Sequence, residues 1–395
     1  MTTFNYDRAG KVVEKINALN EKEELTYDSN DNIIKNILYN ADGSIFSEIN
    51  RTYNALNKLV EERDAENYTT TYTYDNNENI TSITNKNGDT KTFTYDANNN
   101  VIESTDEMGL ITSYEYDNIY NIVKVSDNAN NEEHRTYDRV GNLIKVVDSI
   151  NREVNYEYNI FGEQVKKIDK DGAITQYNYD NNGNLTKVVR PDTQELVYTY
   201  DKHNKLIKTK LNDVEYEYTY DRNYNVVKEK NPLGNVVEWT YDNEGNITQV
   251  KDEEGNTTVN EYDHIGRLIK QTDGNGNDTE VKYDRNNNIT EIKTAENIIN
   301  KFEYDKESRL TKEIDGENHF IKYEYDGIGN ILKKTTESNE VTTYTYDQHN
   351  VMTSMTDALN NTERYETNLN KQVVKKIQKD GTIYKYNYDR AKRLK

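Results

Sequence analysis

Asp326 sits in the stretch "YEYDGIGNILKK" (Tyr323 to Lys334), directly behind a Tyr-Glu-Tyr alternation and directly before a glycine. An acid beside two phenols has the makings of a general acid or a metal ligand. The same residue type also has a plainer use. A carboxylate that opens a turn accepts the main-chain N–H groups that follow it. The two readings differ in number: chemistry needs one such acid, chain geometry needs one at every turn.

Counting separates them. Tyr followed by Asp or Asn recurs from Tyr53 onward at positions 74, 95, 116, 137, 158, 179, 200, 220, 241, 262, 283, 304, 325 and 346, in steps of 21 residues with one step of 20. Tyr6-Asp7 and Tyr27-Asp28 come before, Thr367-Asn368 is a degenerate copy, and Tyr388-Asp389 is the last. Of these 19 copies, 16 carry Asp in second place and three carry Asn (Asn54, Asn159, Asn368). An amide does not titrate, so it cannot replace a general acid, yet it accepts the same main-chain bonds. On this reading Asp326→Asn is nearly neutral. The repeated positions are therefore expected to be structural: Tyr74, Asp75, Tyr95, Asp96, Tyr116, Asp117, Tyr137, Asp138, Tyr179, Asp180 and Gly183, then Tyr241, Asp242, Gly245, Tyr262, Asp263, Gly266, Tyr304, Asp305, Tyr325, Asp326, Gly329, Tyr346 and Asp347.

Other chemistry finds little footing. "DGNGND" (Asp273 to Asp278) starts like a calcium loop, but an EF-hand needs Gly in sixth and Glu in twelfth place, and here those are Asp278 and Asp284. The five histidines (His134, His203, His264, His319, His349) lie far apart, and none stands with a Ser and an acid in a nucleophilic pattern. There is no Cys, which excludes disulfides and thiolate chemistry. No catalytic residue, cofactor or metal is assigned, and an enzyme is not expected.

The elements that must hold these positions follow from the repeat. Tyr-x-Tyr alternation has the period of a strand with one packed face. Asp at the start of a four-residue step and Gly or Asn at its end is type I turn chemistry with a last residue at positive φ. About five residues after the aliphatic at Val101, Leu143, Leu185 or Ile247, an Asp or Asn opens a second turn, and Pro191 and Pro232 fall just inside two of these. Each copy reads as strand, turn, strand, turn, for roughly 36–38 strands. In the second strand aliphatics fall three apart, as at Ile80 and Ile83, which fits a bulge or a strand buried on both faces. The fold class expected is all-β: continuous antiparallel hairpins whose sheet, far beyond the ~10 strands an open sheet tolerates, coils into a spiral or hollow shell.

Residues 1–395 read as one array. Residues 1–52 are irregular, with a 26-residue step from Tyr27 to Tyr53 taken as a five-residue loop insertion or a degenerate cap. Residues 53–388 are regular, and 389–395 are a truncated last repeat. Its opening "NYDRAGKV" and closing "NYDRAKRL" are the same part of the repeat, which is expected either of a fragment of a longer array or of an unusual uncapped protein.

Composition limits what can hold such a chain together. Only 33% of residues are hydrophobic, 34 Tyr included, and the net charge is −21, which borders on the composition of disordered chains. Tyr is the residue left to supply packing. The acidic balance argues against nucleic acid, no apolar run approaches the ~20 residues of a membrane span, and the first residues lack a signal-peptide pattern.

The pattern Y-x-Y-D-x-x-G-[NR]-[LI] in "YEYDGIGNILKK", "YNYDNNGNLTK" and "NEYDHIGRLIK" resembles the YD repeat of bacterial Rhs proteins, Tc toxin complexes and teneurins, over essentially the whole chain. The resemblance implies a spiralling hairpin sheet that encloses a toxic polypeptide in large family members and presents adhesive surfaces in teneurins. It also implies a secreted or cell-surface location. The residue after the glycine is mostly Asn here (Asn142, Asn184, Asn246, Asn330), where the family often has the Arg seen at Arg267, Arg309 and Arg393. The DPxG core motif of Rhs proteins is absent; its nearest piece is "NPLG" (Asn231 to Gly234).

The function expected is thus a non-enzymatic scaffold, a segment of shell around a polypeptide cargo, flanked by neighbouring repeats of a larger parent. The alternative is a recognition or adhesion module that binds glycan or protein through its Tyr-rich face. End-to-end self-association through an unpaired strand at Tyr386–Tyr388 is also expected.

Overall fold

The computed structural model describes residues 2–389 and 392–395. Arg390 and Ala391, within the last copy of the repeat, and Met1 lie outside the described residues. The chain is all-β: 37 strands in a single unclosed antiparallel sheet, with no helix among the described residues. Among those residues no helix is therefore long and apolar enough to cross a membrane.

One copy shows how the repeat becomes structure. The strand Thr69–Tyr74 turns into Ile80–Thr84, which turns into Thr90–Tyr95. Tyr74 faces Ile80, but Thr73 faces Ser82, so Thr81 is an extra residue on its strand. That bulge puts Ile80 and Ile83 on the face of Tyr74 and Tyr72, which is why the aliphatics fall three apart. The side chains between the tyrosines point the other way and are Thr in many copies, as at Thr73, and charged in others. Glu157 pairs with Lys166 at 2.8 Å, Glu324 with Lys333 at 2.8 Å and Glu366 with Lys375 at 2.6 Å across their hairpins. Such exposed cross-strand pairs each contribute a few tenths of a kcal/mol up to ~1 kcal/mol.

The five extra residues near the start form neither a loop nor a cap. They lengthen two paired strands, Ile33–Tyr39 by two residues and Ile45–Tyr53 by three relative to the Ile80–Thr84 and Thr90–Tyr95 pair. The same kind of turn joins them, Asn40 N–H to Ser44 O at 2.8 Å. At the other end, the strand expected at Tyr386–Tyr388 stops earlier. Ile383–Lys385 pairs with Val373–Ile377, and Tyr388 makes an isolated bridge to Leu394.

The structure divides into two compact units. The first comprises Met1–Ser113, Asp263–Ile269 and Thr279–Lys395; the second comprises Tyr114–Tyr262 and Lys270–Asp278. Neither has a thick core. Among the described residues Ala65 and Val154 are the buried hydrophobic ones, and no large side chain is fully buried. Side chains are half-covered by their strand neighbours, so hydrogen bonds at the turns matter more here than in a globule.

Candidate functional site

The turn is built from its acid outward. Asp326 N–H donates to Asn330 O at 3.0 Å, and Gly329 N–H donates to Asp326 O at 3.3 Å, closing a three-residue hairpin loop. Gly329 sits at φ +99°, where a side chain would be strained; Gly183, Gly245 and Gly266 occupy the same left-handed region. Asp326 Oδ1 accepts the N–H of Ile328 at 3.1 Å and of Asn330 at 2.8 Å. Asp75, Asp96, Asp117, Asp138, Asp180, Asp242, Asp263, Asp305 and Asp347 accept the same two main-chain bonds, all between 2.8 and 3.0 Å.

The second carboxylate oxygen corrects the equivalence of Asp and Asn. Asp326 Oδ2 accepts from Asn330 Nδ2 at 2.7 Å, and Asp96 Oδ2 from Asn100 Nδ2 at 2.9 Å. Arginine at that place does the same: Arg267 Nε reaches Asp263 Oδ2 at 2.7 Å, and Arg309 Nε reaches Asp305 Oδ2 at 2.6 Å. At two of the three copies in which Asn opens the turn, the residue four places on is an acceptor; at Asn54 it is Lys58. Asn159 Nδ2 donates to Glu163 Oε2 at 2.6 Å, and Asn368 Nδ2 to Gln372 Oε1 at 3.2 Å. Asn159 and Asn368 thus replace Asp together with a change of the residue four places on. Such bonds hold the carboxyls of Asp75, Asp96, Asp117 and Asp138 below the usual range, and for each the bond from the facing Asn is the largest cause.

The tyrosines tie each copy to the one before. The hydroxyls of Tyr74, Tyr95, Tyr137, Tyr179, Tyr241, Tyr262 and Tyr325 donate to the carbonyls of Leu59, Ile80, Ile122, Gln164, Val226, Ile247 and Leu310, each fifteen residues earlier, at 2.7–3.0 Å. The reason lies in the bulge. The ladder between Ile80–Thr84 and Thr90–Tyr95 stops at Ser82 and Thr92, which leaves the carbonyl of Ile80 beyond it, and Tyr95 supplies the missing donor. Tyr116, Tyr304 and Tyr346 end their strands at the same place. The degenerate Thr367 is too short for this bond and donates to Asp347 Oδ2 at 2.8 Å, where Val351 offers no donor. A row of amides links neighbouring first turns, as in Asn79 Nδ2 to Asn99 Oδ1 at 2.8 Å and Asn184 Nδ2 to Asn204 Oδ1 at 2.9 Å.

The first unit adds a seam that the repeat pattern did not announce. First turns of late copies lie on second turns of early ones. Lys306 N–H donates to Glu66 Oε1 at 2.9 Å, and Gly327 N–H donates to Asn87 Oδ1 at 2.9 Å, each across 240 residues. Asn87 returns its Nδ2 to Asp326 Oδ2 at 3.0 Å. Lys86 bridges Asp64, at 2.5 Å, and Glu307, at 3.0 Å. Burial pulls the Lys86 ammonium down, but these two bonds outweigh it and leave it above the ordinary lysine value. His349, with a side chain 2% exposed, sets Nε2 2.5 Å from Asp106 Oδ2, while its Nδ1 is buried with no partner among the described residues. Arg285 donates to the carbonyl of Tyr39 on the lengthened hairpin. The contacts keep step: residues 306 and 327 stand 21 apart, as do 66 and 87.

The structure does not gather the repeated acids into a shared site, and no group of His, Cys, Asp or Glu suited to a metal ion occurs among the described residues. The seam residues escaped sequence reading because they occupy the variable turn places. One signal was present: Gly327 stands where neighbouring copies carry Lys306 and Arg285.

Family models match in the regular part of the array. One described as Teneurin YD-shell matches residues 133–292, and one described as RHS Repeat matches residues 53–90, 95–132 and 325–362. The chain belongs to the YD/Rhs-repeat family. Two crystal structures share the YD-repeat fold over 100% of the chain. TcdB2-TccC3 without its hypervariable C-terminal region aligns at 14% identity and a TM-score of 0.70, covering 26% of that chain. TcdB2-TccC3-Cdc42 aligns at 14% identity and 0.59, covering 25%. The YD-repeat chain thus spans about a quarter of the length of these structures. No curated protein matches it.

Proposed function

We propose that the chain is a non-enzymatic wall segment that encloses a polypeptide within a larger secreted or cell-surface parent. The seam carries this reading. A wall must hold against its own edges as well as along its strands, and here turns twelve copies apart clasp each other through Asn87, Asp326 and Gly327. The family membership and the shared fold support it, as does the use of the repeated Asp and Tyr residues in turn and ladder bonds. The alternative, a glycan- or protein-binding tyrosine face, has less to stand on, because hydroxyls such as that of Tyr325 already serve main-chain carbonyls.

Limited proteolysis of the parent polypeptide tests enclosure. A segment held inside resists trypsin while the wall is folded and is digested at the rate of a free chain once urea opens the wall. Equal digestion rates in both states overturn the reading.

A further inference from the structure

In the second unit, three consecutive first turns carry large apolar side chains in water. Val140 is 82% exposed, Ile160 93% and Phe161 80%, with Ile119 and Tyr120 exposed beside them. A groove of about 1000 Å³ runs alongside, lined by Val140, Ile144, Tyr156, Ile160 and Ile168 among others. Contiguous exposed apolar surface on an acidic, hydrophobe-poor chain calls for a partner.

The seam of the first unit indicates what kind. There the residues one and two places after a first-turn opener share the contact: Lys306 and Gly327 give their main-chain N–H groups, while Glu307, two after Asp305, meets Lys86 and His349, two after Asp347, meets Asp106. On the facing second turns the residue two places after the opener also takes part, as Glu66 and Asn87 do. Ile119, Val140 and Phe161 stand two places after Asp117, Asp138 and Asn159, which is that first-turn position. The matching second-turn position carries Leu233, 85% exposed, two places after Asn231. Pro232 precedes it and fixes φ at the first central place of that turn. Charge agrees: Arg139 stands beside Val140, and Glu253 and Glu254 occupy the second turn that follows Leu233.

We infer that the first turns around Val140 and Phe161 are an interface for a second copy of this chain, which docks the second turn bearing Leu233 in the manner of the internal seam. The two surfaces differ, so the contact is heterologous and each added copy leaves one of each surface free.

Sedimentation velocity over a hundredfold range of concentration tests this. The wild-type chain is expected to form dimers and then longer species. The double variant Val140→Asp/Phe161→Asp and the single variant Leu233→Asp are each expected to stay monomeric, with unchanged far-UV circular dichroism and melting. Each variant keeps one intact surface, so their equimolar mixture forms a one-to-one complex and nothing larger. A monomeric wild type, persistent association of either variant, or a mixture that stays monomeric overturns the inference.

Discussion

The side chain of Asn87 grips the main chain and side chain of a turn 240 residues away: its Oδ1 takes the N–H of Gly327 at 2.9 Å while its Nδ2 gives to Asp326 Oδ2 at 3.0 Å. Both atoms of one amide are used, so the early and late turns are held in one register. Asp326, one of the repeated turn acids, is at the same time a seam residue.

Asp326→Asn is therefore expected to destabilise. The wild-type Oδ2 receives two amide donors, from Asn330 and Asn87, and a third amide in its place sets N–H groups against each other or leaves one unpaired. The expected loss is roughly 1–3 kcal/mol. Adding Asn330→Glu restores the donor-to-acceptor pairing that Asn159 and Glu163 show and should recover part of it. Urea unfolding of the single and double variants decides the matter; a neutral single variant would show that the second oxygen does nothing.

Gly327→Ala should open the seam locally. An added Cβ would stand 2.7 Å from Lys86 O, 2.8 Å from the Tyr68 ring and 2.9 Å from Asn87 Oδ1. Two of the three contacts are with groups fixed by the opposing turn, so relief requires the turns to part, at a cost of about 1–3 kcal/mol. Hydrogen exchange should quicken at residues 85–88 and 326–329 and leave turns of the second unit untouched. Uniform protection would refute this.

Tyr325→Phe keeps the ring beneath Arg309 and removes only the bond to Leu310 O. The ladder there starts at Lys312 and Lys322, so the carbonyl of Leu310 is left without its donor. A loss of about 0.5–1.5 kcal/mol is expected. The cost should recur when the change is made at Tyr95, whose hydroxyl serves Ile80. Thermal melts matching wild type in both variants would remove the hydroxyl from the account.

Stability should be flat through neutral pH and fall at both ends. Folded carboxyls such as Asp75, Asp96 and Asp326 lie below the ordinary value, and Asp357 is lowered to about 2, chiefly by Lys379. A depressed folded pKa contributes stability above the unfolded value, about 3.9, and that stability is lost as pH falls through the folded one. Burial raises the phenols of Tyr74, Tyr95 and Tyr325, and burial with a bond to Glu313 pushes Tyr323 up to about 12. A raised folded pKa contributes stability below about pH 10 that is lost as pH rises through the folded value. Urea midpoints should drop between about pH 4 and 2, and again above about pH 10 together with tyrosinate absorbance. A midpoint rising steadily from pH 4 to 10 would contradict this.

The antiparallel hairpins, the positive-φ end of each turn and the strand count follow from residue types repeating every 21 places, because all three rest on bonds between residues a few places apart. Asp326 and Asn330 meet whatever the rest of the chain does. The Tyr hydroxyl bond was one step harder to see. It depends on where the ladder stops, and that depends on the bulge, which the three-residue spacing of Ile80 and Ile83 left open.

The seam belongs to tertiary structure alone. Whether Asn87 meets Gly327 or a turn 21 residues further on depends on strand twist accumulated over twelve copies, a small angle per strand that no single residue specifies. The residues that complete the contact, Lys86, Asn87, Glu307 and His349, lie in the turn places that vary from copy to copy, so periodicity discards them. Local hydrogen bonding wrote the repeat into the sequence, and the summed geometry of the sheet chose which repeats touch.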